Sequence, residues 1–126
     1  MKRIISTPLA PAAIGPYSQA VEVNGFLYVS GQIPLDPVSG EIVGSDITTQ
    51  TEQVLKNIGS ILTAAGYSFG DVVKTTCLLA DMGHFSAMNK VYGSFFVADQ
   101  PARAAFAVAT LPREVLIEIE LIASKA

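Results

Sequence analysis

Residues 46–80 read DITTQTEQVLKNIGSILTAAGYSFGDVVKTTCLLA. Apolar side chains at Ile47, Val54, Leu55, Ile58, Ile61, Leu62 and Ala65 recur at three- and four-residue spacing, the stripe of a helix with one buried face. The spacing predicts a helix over Asp46–Ala65. Ser45 or Asp46 can accept from its first free amides. Gly66 can end it in the left-handed conformation. From Val72 to Ala80 the composition turns to Val, Thr and Leu, which predicts a strand. A helix feeding straight into a strand predicts a right-handed crossover that returns parallel to an earlier strand.

Upstream, Arg3–Ser6 reads as a short strand. Pro8, Pro11, Gly15 and Pro16 then force irregular chain. Tyr17–Val23 and Phe26–Ser30 read as strands joined by Asn24-Gly25, a strong hairpin signal. Pro34–Gly44 is a loop. Downstream, His84–Phe96 reads as a helix with Phe85, Met88, Val91, Tyr92, Phe95 and Phe96 on its apolar face. Ala102–Ala109 and Val115–Ala123 read as strands around a turn at Leu111-Pro112-Arg113. The order β-β-β-α-β-α-β-β predicts one α+β domain over residues 1–126, with two helices against a mixed six-stranded sheet.

Half of the 126 residues are hydrophobic and 15% are charged, against about 25% charged in ordinary soluble domains. Polar surface is scarce, so either another copy of the chain covers apolar surface or a monomer carries an unusually apolar core. The net charge of −3 and the scattered Lys and Arg argue against a phosphate-backbone partner, which wants a basic stripe. A single cysteine, Cys77, makes no internal disulfide. One Cys and one His, His84, make no metal cluster. There is no phosphate loop or dinucleotide fingerprint, so no cofactor is predicted. Ser6, Thr7, Pro8 and Pro11 interrupt the apolar run behind the basic Met1-Lys2-Arg3, leaving no signal peptide. No other apolar run reaches a membrane span. The expected compartment is the cytoplasm.

Arg103 lies among Ala102, Ala104, Ala105, Phe106, Ala107 and Val108. A strand this apolar is expected to be central and covered. The guanidinium stays charged there and needs an anion. Its fork matches a carboxylate, and the small alanines leave room for one. The competing reading is an internal salt bridge. If the last two strands pair across their short turn, Glu118 of Ile117-Glu118-Ile119-Glu120 falls near Arg103. Both readings stay open on these residues. Tyr17, in Gly15-Pro16-Tyr17-Ser18-Gln19, is either a phenol placed by rigid chain or an ordinary strand tyrosine. Ser30, before Gly31, offers a hydroxyl at a strand end but lacks the context of a nucleophile elbow. Cys77 reads as a buried inert thiol, and His84 as a cap or solvated side chain.

IGPYSQA at 14–20, VSGQI at 29–33, NKVYGSFF at 89–96, PARAA at 101–105, Leu111-Pro112 and IEIE at 117–120 together resemble the Rid/YjgF family over essentially the whole chain. The resemblance implies a chorismate-mutase-like subunit in a trimer with a central barrel and clefts between copies. It implies hydrolytic deamination of 2-imino acids such as 2-iminopropanoate and 2-iminobutanoate, giving 2-oxo acids and ammonia. Arg103 matches the residue that binds the substrate carboxylate, and Glu118 the acid that holds the reacting water. Tyr17, Ser30 and Asn89 match residues at the substrate. Position 105, often cysteine in the family, is Ala105 here, where the backbone carries the role. A nearby arginine is expected to keep Glu118 ionised at neutral pH. Two rival functions are a non-catalytic regulator that binds 2-oxo acids in the same clefts and a ribonuclease or translation inhibitor.

Overall fold

Both helices pack on one face of a six-stranded sheet in the computed structural model, which describes residues 1–125. The elements are β1 (Arg3–Ile5), β2 (Ala20–Val23), β3 (Phe26–Gln32), α1 (Ile47–Ala65), β4 (Val72–Leu79), α2 (Phe85–Phe95), β5 (Ala102–Ala107) and β6 (Ile117–Ser124). The strand order is β1-β2-β3-β6-β4-β5.

The helix α1 forms where the apolar stripe predicts it. Asp46 Oδ2 accepts from the Thr49 amide at 2.9 Å. Gly66 ends the helix at φ +84° and returns its N–H to Leu62 and Thr63. Val54, Leu55, Ile58 and Ile61 are fully buried against the sheet, each contributing roughly 1.5–3 kcal/mol of transfer free energy. The β2–β3 hairpin turns on Asn24 and Gly25, both at positive φ, the backbone a tight two-residue turn requires. No helix among the described residues is long and apolar enough to cross a membrane.

Three expectations change. First, β2 begins at Ala20, not Tyr17. The buried Gln19 side chain accepts from the Thr7 amide at 2.7 Å and donates to the Thr7 and Pro11 carbonyls at 3.0 and 2.8 Å. This pins the proline-rich segment to the sheet, while the Gln19 carbonyl still accepts from the Ser30 amide of β3 at 3.0 Å. Second, β3 runs on to Gln32 through a register shift between Val29 and Gln32. Third, β5 and β6 are not partners. β5 pairs parallel with β4, and β6 inserts antiparallel between β3 and β4. The reason is apolar content. Ile117, Ile119, Leu121 and Ala123 of β6 all bury under the helices, whereas alanine-rich β5 has little surface to hide and takes the edge.

The strand after α1 does run parallel to an earlier one. β3 and β4 are both antiparallel to β6 and so share a direction, with β6 between them. Among the described residues the second face of the sheet carries no helix. Phe26, Tyr28 and Phe106 stand exposed on it, beside Glu118, Glu120 and Ile122.

Candidate active site

Register decides which site residues share a face, because directly opposed side chains on neighbouring strands point the same way. Arg103 lies opposite Thr75, which is fully buried under α2. Arg103 therefore projects to the helix side. Glu118 lies opposite Leu78 and alternates with buried Ile117 and Ile119, so it projects to the uncovered side. The internal salt bridge is absent: Arg103 and Glu118 leave opposite faces of one sheet. Arg103 is also not on a central strand but on the edge strand β5.

On the uncovered side, Glu118 lies over Gly31. A Cβ at position 31 would fall on the Glu118 carboxylate, so only glycine lets the acid lie flat on the β3 backbone. Tyr17, Gly31, Gln32, Arg113 and Glu118 line a cavity of about 430 Å³, with Ile14, Ile33 and Leu35 among its apolar walls. Gly15, at φ +121°, turns the chain so that Tyr17 reaches this wall. The Tyr17 hydroxyl accepts from the Ile14 amide at 3.4 Å. Ser30 Oγ donates to the Ser18 carbonyl at 2.6 Å, which fixes the Tyr17 segment and leaves the serine lone pairs free. Burial raises the Glu118 pKa above its ordinary value, and Glu120 on the same face adds to the rise. No arginine is among the causes, so within one chain the expected support of its charge by a nearby arginine is missing.

On the helix side, Arg103 Nη1 donates to Asn89 Oδ1 at 2.6 Å. The guanidinium stands 4.8 Å from the Tyr92 ring centroid and 5.3 Å from that of Phe85. Asn89, Tyr92, Gly93, Gln100 and Arg103 border a second cavity of about 420 Å³. Ala105 lies opposite Cys77. Cys77 is buried, and burial pushes its thiol up to about 11 although Arg103 pulls it partly back. A thiol so rarely ionised is inert, as expected. His84 precedes α2 and makes no capping hydrogen bond through its side chain.

Gly31, Phe85 and Tyr92 join the site without having been singled out for it. A signal existed for each. A glycine inside a strand marks a bulge or a close approach. Phe85, Asn89 and Tyr92 sit four and three apart, which sets one polar side chain into an otherwise apolar helix face. Gly31→Ala is expected to displace the Glu118 carboxylate, whose side chain is flexible enough to move aside. Activity should fall at least about tenfold while the melting temperature shifts by no more than about 3 °C. Parallel kinetics and thermal denaturation check this, and unchanged kinetics would refute the contact.

The model of the family described as Endoribonuclease L-PSP matches residues 7–125. A RutC family protein of Pyrococcus horikoshii is 56% identical over 125 residues, 99% of each chain. A Mus musculus protein named 2-iminobutanoate/2-iminopropanoate deaminase is 54% identical over 98% of this chain and 91% of its own. The solved structure of Escherichia coli TdcF with bound serine superposes with a TM-score of 0.94 at 42% identity, covering 98% of this chain and 99% of that one. The chain belongs to the Endoribonuclease L-PSP family, also called Rid/YjgF.

Proposed function

We propose that the protein hydrolyses 2-imino acids to 2-oxo acids and ammonia, with 2-iminopropanoate and 2-iminobutanoate as substrates. One observation carries this reading. Arg103 is held by an amide and two aromatic rings, and among the described residues it has no carboxylate partner. A small organic acid supplies the missing anion, and the deaminase name of the mouse relative says which kind of acid.

The opposed faces of Arg103 and Glu118 set a further condition. One chain cannot present both groups to a molecule of a few atoms. We infer a homotrimer in which the β5 edge of one copy meets the Glu118 cavity of the next. The exposed apolar residues of the uncovered face, Phe26, Tyr28 and Phe106, are what such an assembly would hide. Phe106→Asp is expected to release monomers. Light scattering should give three times the 13.3 kDa chain mass for the wild type and a single chain for the variant. A monomeric wild type would end the shared-site reading.

In this site Arg103 binds the substrate carboxylate through parallel hydrogen bonds. β5 is an edge strand with backbone groups outside the ladder, and those at Ala105 orient the imine. Asn89 braces the guanidinium, and Tyr17 and Ser30 border the substrate. Glu118 positions water and takes its proton as the oxygen attacks C2. The C2–N bond then breaks, ammonia leaves with the protons, and C2 becomes a carbonyl. The imine is already reactive in water, so placement of groups supplies the acceleration. We place the reaction in the cytoplasm, where a lone reduced thiol is at home.

The test generates iminopropanoate from serine with a pyridoxal-dependent enzyme and follows its decay with and without the protein. Decay at the buffer rate despite binding of 2-oxo acid would favour a regulator instead. The family model's description as an endoribonuclease favours a second reading. RNA binding by the pure protein that weakens steeply with salt would support that one. The acidic pair Glu118 and Glu120 on the uncovered face opposes it.

A further inference from the structure

Every group described around the Arg103 guanidinium is neutral. The Asn89 oxygen accepts its Nη1, and the Tyr92 and Phe85 rings flank it. The Tyr92 hydroxyl shares a 2.7 Å hydrogen bond with the Thr75 hydroxyl. Thr75 is itself fully buried and is the register neighbour of Arg103 on β4. The ring behind the arginine is thus tied to the strand beside it.

We propose that Phe85, Asn89 and Tyr92, locked from behind by Thr75, form a neutral cradle that aims Arg103 without discharging it. Tyr92 is the positioning residue of this cradle. The proposal rests on the reading that Arg103 binds the substrate carboxylate.

The physical case turns on what an arginine needs in order to bind a second anion. A carboxylate in place of Asn89 would hold the guanidinium at least as firmly. It would also repel an incoming carboxylate at close range, where like charges interact strongly. Aromatic faces attract a cation through their quadrupole and carry no net charge. An amide oxygen accepts one N–H and leaves the fork open. The arrangement therefore removes rotamer freedom before the ligand arrives and keeps the full positive charge available. Thr75 adds rigidity, because a ring free to tilt would let the guanidinium wander.

The decisive experiment measures binding of two probes, pyruvate and its neutral amide, by calorimetry on the full-length protein. Asn89→Asp is expected to weaken pyruvate about a hundredfold. It should leave the neutral amide within about threefold and the melting temperature unchanged or higher. Tyr92→Leu should weaken pyruvate roughly tenfold, and Tyr92→Phe, which keeps the ring but loses the bond to Thr75, should recover most but not all of that, binding about threefold more weakly than the wild type. Asn89→Asp is close to isosteric, so it carries the test if Tyr92→Leu does not fold. Wild-type pyruvate affinity in Asn89→Asp overturns the cradle. Arg103→Ala separates the two layers of the argument. If it still binds pyruvate, the carboxylate reading itself has failed. If it loses pyruvate while Asn89→Asp keeps it, only the cradle is wrong.

Discussion

Arg103→Ala is expected to lower kcat/KM for iminopropanoate by about a thousandfold. Two charge-assisted hydrogen bonds to the substrate carboxylate disappear together, and the cavity that remains offers an amide and two rings in their place. Most of the loss should fall on KM, because the carboxylate is bound in ground state and transition state alike. Part should fall on kcat, because an unanchored imine no longer sits in line with the water on Glu118. Arg103→Lys should recover little, since an ammonium cannot present a planar fork. The fold should survive, as β5 is an edge strand and Arg103 is only partly buried. Circular dichroism and light scattering would verify that before kinetics are read. Wild-type turnover in Arg103→Ala would remove the basis of the proposed function.

The second large effect belongs to Glu118. Glu118→Gln keeps the shape and removes the base, and a loss of about a hundredfold to ten-thousandfold in kcat is expected. The pH profile follows from the direction of the pKa shift. Burial favours the protonated acid, and Glu120 disfavours a second negative charge on the same face. Within one chain the base form therefore grows as pH rises through a value above the ordinary 4.5, and in the shared site the Arg103 of the next copy opposes that rise. Activity should climb with pH across that window and then level off. Glu120→Gln should move the climb to lower pH. Stability runs the opposite way. A carboxyl whose folded pKa is raised binds its proton more tightly when folded, so stability declines as pH rises from the unfolded pKa to the folded one. Glu118→Gln should therefore stabilise the chain at neutral pH, with the gain vanishing in acid. A profile for Glu118→Gln that matches the wild type would remove Glu118 from the chemistry.

Local signals carried most of the fold. The α1 stripe, its Asp46 and Gly66 ends, the Asn24-Gly25 turn and the α2 face each follow from side-chain spacing or backbone preference over a few residues. Pairing order did not follow, because it is a competition between distant segments. A short turn between β5 and β6 suggested a hairpin. The outcome was set instead by which strand had more apolar surface to place under the helices. The same gap explains the site. Arg103, Glu118, Tyr17, Ser30 and Asn89 were recognisable as residues, but their faces depend on the register of β6 against β4 and of β4 against β5. With β6 displaced from β5, the supposed ion pair became two groups looking in opposite directions. Gln19 was overlooked for a simpler reason. Its buried side chain serves a loop twelve residues away, and no short pattern announces that.

The placement of β6 at the middle of the sheet has a consequence for how the chain is made. β6 follows every other described strand in the chain, yet it supplies the ladders to both β3 and β4. Until it emerges from the ribosome, those two strands present bare edges, and the nascent chain resembles an unclosed zip with its slider still inside. Completing the sheet must then wait for β6 and proceed through distant contacts, a slow and aggregation-exposed regime. A chain cut before Ile117 would leave β3 and β4 without the strand that pairs with both.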